Sequence, residues 1–81
     1  MADPARHDPV EVQRRVLGVV RTIVGQRPIE SASTWRSIGM DSLDLLTLVC
    51  GIEDEFEVRI ADPVAIRLRT VSDVVALIVS G

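Results

Sequence analysis

The hydrophobic positions of this chain fall into stretches of helical period separated by polar segments that carry proline, serine and glycine. In the first stretch Val12, Val16, Val19, Val20 and Ile23 recur at the spacing that lines one side of an α-helix. Asp8 can accept a backbone N–H as N-cap, Pro9 suits the first helical position because it has no N–H to lose, and Glu11 completes a capping box. Gly25 is the expected stop. The β-branched residues between Val16 and Val24 also suit a strand, but cap, length and period favour a helix. From Gln26 to Met40 the period is lost, and Pro28, Ser31, Ser33, Thr34, Ser37 and Gly39 predict a long loop. Loops of that length in small domains are usually functional or packed down. Ile29, Trp35 and Ile38 can pin this one, with Trp35 as an anchor over the core edge.

The second helix is predicted to start at Asp41-Ser42-Leu43-Asp44, where Asp41 caps and Asp44 both closes the box and complements the helix dipole. It should run to about Phe56. At about 100° per residue, Leu45, Leu48, Val49, Ile52 and Phe56 share one broad face, an ordinary core stripe. Leu43, Leu46 and Cys50 fall on the other side, flanked by Asp44, Thr47 and Asp54. A helix that needs one buried face therefore has two. The surplus stripe is either a second core contact or a partner surface, apolar in the middle and acidic at the rim. Asp62-Pro63 repeats the cap-and-proline signature and opens a short helix through Val64 to Ile66. Thr70-Val71-Ser72-Asp73 is a further capping box, leading a last helix with Val71, Val74, Val75 and Ile78 inward. The expected fold is an all-α bundle of three main helices and one short one, a single domain over residues 8–80 behind a flexible segment 1–7.

Composition narrows the function. With 81 residues there is room for one modest core, and 47% hydrophobic residues with one Trp and one Phe make that core aliphatic. A single cysteine cannot form an internal disulfide and no signal-like segment opens the chain, so the expected compartment is the cytosol. No apolar run approaches the ~18 residues that span a bilayer. All nine cations are arginine, a usage common in GC-rich genomes. The net charge of −3 is unevenly spread: residues 41–62 hold Asp41, Asp44, Glu53, Asp54, Glu55, Glu57 and Asp62 against Arg59 alone, between mildly basic ends. An acidic middle argues against a nucleic-acid partner and for a basic one.

Few groups are available for catalysis. The lone His7 sits in the N-terminal segment, where a catalytic base would have to come from a frayed end. No Cys/His cluster has metal-ligand spacing and no glycine-rich phosphate loop precedes a helix, so neither an enzyme nor a metal site is expected. What remains is Ser42 at a helix start after a long loop. Its hydroxyl is either a plain first-turn serine or a modification point, beside N–H groups that tolerate a phosphate and carboxylates that can bind a partner's metal or arginines.

The run Ile38-Gly39-Met40-Asp41-Ser42-Leu43-Asp44-Leu45 resembles the attachment motif of acyl carrier proteins. Glu53-Asp54-Glu55-Phe56, Ile60-Ala61-Asp62 and Arg69-Thr70-Val71 extend the likeness over most of the chain. The resemblance implies that Ser42 carries a covalent 4′-phosphopantetheine taken from coenzyme A by a phosphopantetheinyl transferase. It implies Asp41 as the acidic neighbour recognised with the serine. Docking falls to Leu43, Asp44 and Leu46, with Thr47, Cys50 and Asp54 on the same stripe and Cys50 a small half-buried hydrophobe. Implied partners are acyl-loading, ketosynthase or tailoring enzymes, served by a monomeric carrier that catalyses nothing itself.

Three departures refine that expectation. Thr47 stands where fatty-acid carriers have a glutamate, Leu45 takes a place that is often polar, and Arg67 and Arg69 fall where that pattern is acidic. They suggest dedicated partners, as in free-standing carriers of polyketide or related biosynthesis. A discrete aminoacyl or peptidyl carrier of a nonribosomal peptide pathway stays open, as does an unmodified helical interaction module.

Overall fold

In the computed structural model, which describes residues 8–30 and 32–80, helix α1 (Pro9–Val24) begins where its cap predicts: the Asp8 carboxylate accepts the N–H groups of Val10 and Glu11. The expectations for residues 1–7, His7 among them, and for Ser31 lie outside the described residues. The Glu11 carboxylate takes the guanidinium of Arg14, 3.0 Å from its Nε. Gly25 ends the helix at φ 76°, a backbone region that favours glycine, and its N–H closes on the Arg21 carbonyl. Val12, Val16 and Val20 are fully buried, with Val19 and Ile23 partly so.

Helix α2 (Ser42–Phe56) and helix α4 (Val71–Ser80) both pack on α1, and α3 is a single turn (Asp62–Ala65). Leu48, Ile52 and Phe56 are the buried rungs of α2, and Val71, Val74 and Ile78 those of α4. Leu45, Val49 and Val75, expected inward, are only partly covered. The core is aliphatic apart from Trp35 and Phe56, and no polar or charged residue is buried among the described residues. The α1–α2 seam is close at Gly51, where a Cβ would lie 2.7 Å from Val19. Across the same seam Arg15 donates to the Glu55 carboxylate at 2.9 Å and lies 4.4 Å over the Phe56 ring.

The cap of α4 forms as the sequence predicts. Asp73 N–H donates to the Thr70 hydroxyl at 3.1 Å, while the Asp73 carboxylate accepts from Thr70 at 3.2 Å and from Arg69 at 2.8 Å. At α3 the expected cap is displaced by one residue. Ala61 holds the extended N-cap conformation and Asp62 is already helical, so Pro63 sits second in the turn, and the helix stops at Ala65. Proline tolerates either position because neither has an intrahelical acceptor for its missing N–H.

The long first loop is packed down rather than structureless. It contains a 3₁₀ turn (Arg36–Ile38), and Thr34 pairs with Thr70 in an isolated antiparallel bridge. Trp35, Ile38 and Met40 are buried, so this segment contributes three core residues. The Trp35 indole N–H donates to the Leu68 carbonyl at 2.8 Å and the Trp35 backbone N–H to the Arg69 carbonyl at 3.1 Å. The loop is thus tied to the segment between α3 and α4.

Candidate functional site

The site is built outward from the start of α2. Asp41 accepts the Asp44 N–H at 2.9 Å and the Asp44 carboxylate accepts the Asp41 N–H at 3.2 Å, a reciprocal capping box that fixes the first turn. Ser42, the first helical residue, is exposed, and its hydroxyl makes no hydrogen bond among the described residues. Asp41 caps the helix through Oδ1, which leaves its other carboxylate oxygen without a partner among those residues.

What precedes Ser42 holds it in place. The 3₁₀ turn ends at Gly39 with φ 84°, a conformation that side chains resist, and its N–H closes on the Arg36 carbonyl at 3.1 Å. Met40, buried, returns its N–H to the Trp35 carbonyl at 3.0 Å. Arg27 reaches across from the end of α1, donating through Nη1 to the Ile38 carbonyl at 2.8 Å, and its guanidinium occupies the space that a Cβ on Gly39 would need. Removing this clamp by Arg27→Ala is expected to cost about 1–2 kcal/mol, the lower range for a charged donor on a partly exposed carbonyl. Chemical denaturation measures that loss, and faster amide exchange at Gly39 and Met40 is the local sign expected with it. Unchanged exchange there would show that the turn stands without the clamp.

The remaining sequence-predicted residues lie along α2. Leu43 is 73% exposed and Leu46 64%, and Thr47, Cys50 and Asp54 are also exposed. Thr47 returns its hydroxyl to the Leu43 carbonyl at 3.1 Å, so it is not an open donor. Cys50 corrects the expectation of a half-buried residue: it is exposed. Between helices α2 and α3 runs a largely apolar groove of about 450 Å³ that opens beside Ser42, with Leu45, Leu46 and Val49 on one wall and Ala65 and Ile66 on the other. Ile66, 76% exposed, was given no role by sequence reasoning. The available signal was that a one-turn helix cannot bury both Val64 and Ile66.

The acidic middle of the chain is partly engaged within the fold. Asp41 and Asp44 cap α2, Glu55 holds Arg15, and the Glu53 carboxylate accepts the Ile60 N–H at 2.8 Å, tying the end of α2 to the following loop. Asp54, Glu57 and Asp62 have no side-chain partner among the described residues. The chemistry on offer is that of an exposed primary hydroxyl at the positive end of a helix. Such a group fits a phosphate ester, because first-turn N–H groups and the helix dipole favour added negative charge. No His/Cys/Asp/Glu grouping suited to a metal ion occurs among the described residues, and no helix there is long and apolar enough to cross a membrane.

Residues 14–78 match the family model described as "Phosphopantetheine attachment site". The mitochondrial acyl carrier protein of Saccharomyces cerevisiae is 34% identical over 78 residues, covering 88% of this chain and 62% of that protein. An acyl carrier protein of Phaeodactylum tricornutum is 56% identical over 39 residues, 48% of this chain and 51% of its own length. The chain thus spans between half and two thirds of the length of these relatives.

Proposed function

This chain belongs to the acyl carrier protein family of phosphopantetheine-attachment domains, and on that premise we propose that Ser42 is the residue that carries the group and that residues 8–80 form one carrier domain. The family's cofactor is covalent 4′-phosphopantetheine, and its members carry rather than catalyse. The observation that carries the assignment is the exposed, unpartnered Ser42 hydroxyl on a helix start fixed by the Asp41–Asp44 box. In the loading reaction the Ser42 oxygen attacks the β-phosphate of coenzyme A. A phosphodiester forms, the bond to 3′,5′-ADP breaks, and the serine proton is taken up by the transferase or solvent. Asp41 supports that step through its unpartnered carboxylate oxygen, which is placed to meet the transferase's metal or arginines. When bound, the group supplies a thiol on a flexible arm, on which acyl intermediates travel as thioesters to partner enzymes.

The intact mass of the apo chain after incubation with coenzyme A, Mg²⁺ and a promiscuous transferase tests this reading. A gain of one phosphopantetheinyl group is expected; no gain would leave the unmodified interaction module as the better account.

The docking face in this reading is Leu43, Asp44, Leu46, Thr47, Cys50 and Asp54. Its support is the exposure of two leucines on a helix whose core stripe lies elsewhere. Because the charge along it is sparse, with Thr47 in a place often acidic, the proposed partners are dedicated enzymes of polyketide or related biosynthesis: loading enzymes, a ketosynthase or tailoring enzymes. The proposed setting is a reducing compartment, with the cytosol as the first expectation. Leu46→Glu is expected to change stability by no more than about 0.5 kcal/mol while slowing partner-catalysed loading. A loss of several kcal/mol in denaturation would instead show that Leu46 belongs to the core. Loading by an adenylating enzyme with an aminoacyl group would replace acyl by aminoacyl cargo.

A further inference from the structure

The groove beside Ser42 has a neighbour across Leu45 and Ile66. Leu45 and Ile66 also line a second groove, of about 470 Å³, between the first loop and the segment that leaves α3, with Trp35 and Leu68 among its lining residues. The only charged residues lining it are Arg36 and Arg69. The Thr34–Thr70 bridge and the bond from Trp35 N–H to the Arg69 carbonyl bring these two arginines to the same groove from separate segments. Neither guanidinium has a hydrogen bond or ion pair among the described residues. At the Ser42 end the charge has the opposite sign: Asp62 is the one charged residue lining that groove, and Asp41 and Asp44 flank the serine in sequence. Other grooves differ: the one between α1 and α2 carries two acids with its two arginines, the one between α1 and α4 no charged residue, and the one at the end of α2 three acids with Arg59.

We infer that Arg36 and Arg69 form a recognition site for an anionic end on the cargo, so that the preferred acyl group is one that terminates in a carboxylate. The inference rests on Ser42 being the attachment residue. The apolar stretch shared through Leu45 and Ile66 suits methylenes. Negative charge is disfavoured near Asp62 and favoured at the far end, which fixes the direction in which such a group lies. Each guanidinium can donate two parallel N–H bonds to one carboxylate, no acid lines the groove beside them, and the nearby Asp73 carboxylate is engaged by the Arg69 and Thr70 backbone N–H groups.

The test loads the apo chain directly from two acyl-coenzyme A donors of matched length, hexanoyl and adipoyl, through a promiscuous transferase, and confirms both products by intact mass. The adipoyl form is expected to shift the backbone amide resonances of Arg36, Leu68 and Arg69, and its thioester to hydrolyse about two- to fivefold more slowly than the hexanoyl one, the size an exposed ion pair supports. Both differences should vanish in the Arg36→Gln/Arg69→Gln double variant and shrink at ~1 M salt, where screening acts within about 3 Å. Equal shifts and equal hydrolysis for the two cargoes would overturn the inference while leaving the Ser42 assignment intact, as would a difference that survives the double substitution. Failure to obtain either acylated product would overturn both.

Discussion

Ser42→Ala is expected to abolish phosphopantetheinylation altogether while leaving the fold in place. The substitution removes an oxygen that makes no hydrogen bond among the described residues, at an exposed first-turn position whose cap comes from Asp41 and Asp44 rather than from the serine. Its effect on stability should therefore stay within about 0.5 kcal/mol, as for surface changes that touch no cap or core contact. The effect on modification is complete because the nucleophile is gone; the other exposed first-turn serine among the described residues, Ser72, sits second in α4, away from the groove beside Ser42, and most of the remaining serines are engaged. Ser37 donates to the Thr34 carbonyl at 2.7 Å, Ser80 to the Ala76 carbonyl at 2.7 Å, and the Ser33 hydroxyl accepts the Glu30 N–H at 3.0 Å. Mass spectrometry of the variant beside the wild-type chain checks the first half and thermal unfolding the second. A variant that still gains one group would move the site elsewhere.

The largest stability effect is expected at Trp35. This side chain is 6% exposed although it lies in a loop, and it ties that loop to the segment before α4 through Leu68. Trp35→Ala removes the ring and leaves the Leu68 carbonyl without its indole donor, so a loss of about 3–5 kcal/mol is expected. A domain of 81 residues has roughly 4–12 kcal/mol in total. The variant should be marginal, with its melting temperature lowered by more than ~12 °C in far-UV circular dichroism. Trp35→Phe keeps most of the buried area and should lose less, about the 1–3 kcal/mol of an unpaired buried carbonyl. A loss below 1 kcal/mol for the alanine variant would show that Ile38 and Met40 hold the loop without the indole. The functional consequence follows from connectivity: the turn that Trp35 anchors leads through Gly39 and Met40 straight to Asp41 and Ser42.

These two residues also mark where sequence reasoning succeeds and where it stops. The start of α2 was legible because a capping box is local, closed by groups three residues apart, and because Asp41 and Asp44 have few alternatives at a helix start. The surplus stripe of Leu43 and Leu46 was legible too, since angular placement alone separates it from Leu48, Ile52 and Phe56. That Trp35 is an anchor could be expected from its place in the loop; that Leu68, 33 residues on, receives its N–H could not. The Arg27 clamp on Ile38 and the Arg15–Glu55 pair across 40 residues are equally matters of tertiary approach. The internal roles of two of the acids were hidden for the same reason. The run of acids does lie at the surface, but only the fold shows that Glu53 also holds Ile60 and Glu55 also holds Arg15. At α3 the error was one of register, because a single turn with proline near its start has no long period to fix its boundary. The two adjoining grooves, one beside Ser42 and one beside Arg69, were invisible in the sequence, being assembled from α2, α3 and the first loop together.

The central claim is that one hydroxyl, placed by a capped helix start, is the attachment point. Proteolysis of the loaded wild-type chain after arginine, followed by fragmentation of the peptide that runs from Ser37 to Arg59, tests it most directly, because that peptide contains two serines with opposite surroundings. The group should appear on fragments that include Ser42 and be absent from those that end before Asp41. Its recovery on Ser37, or on any peptide outside this one, would contradict the account.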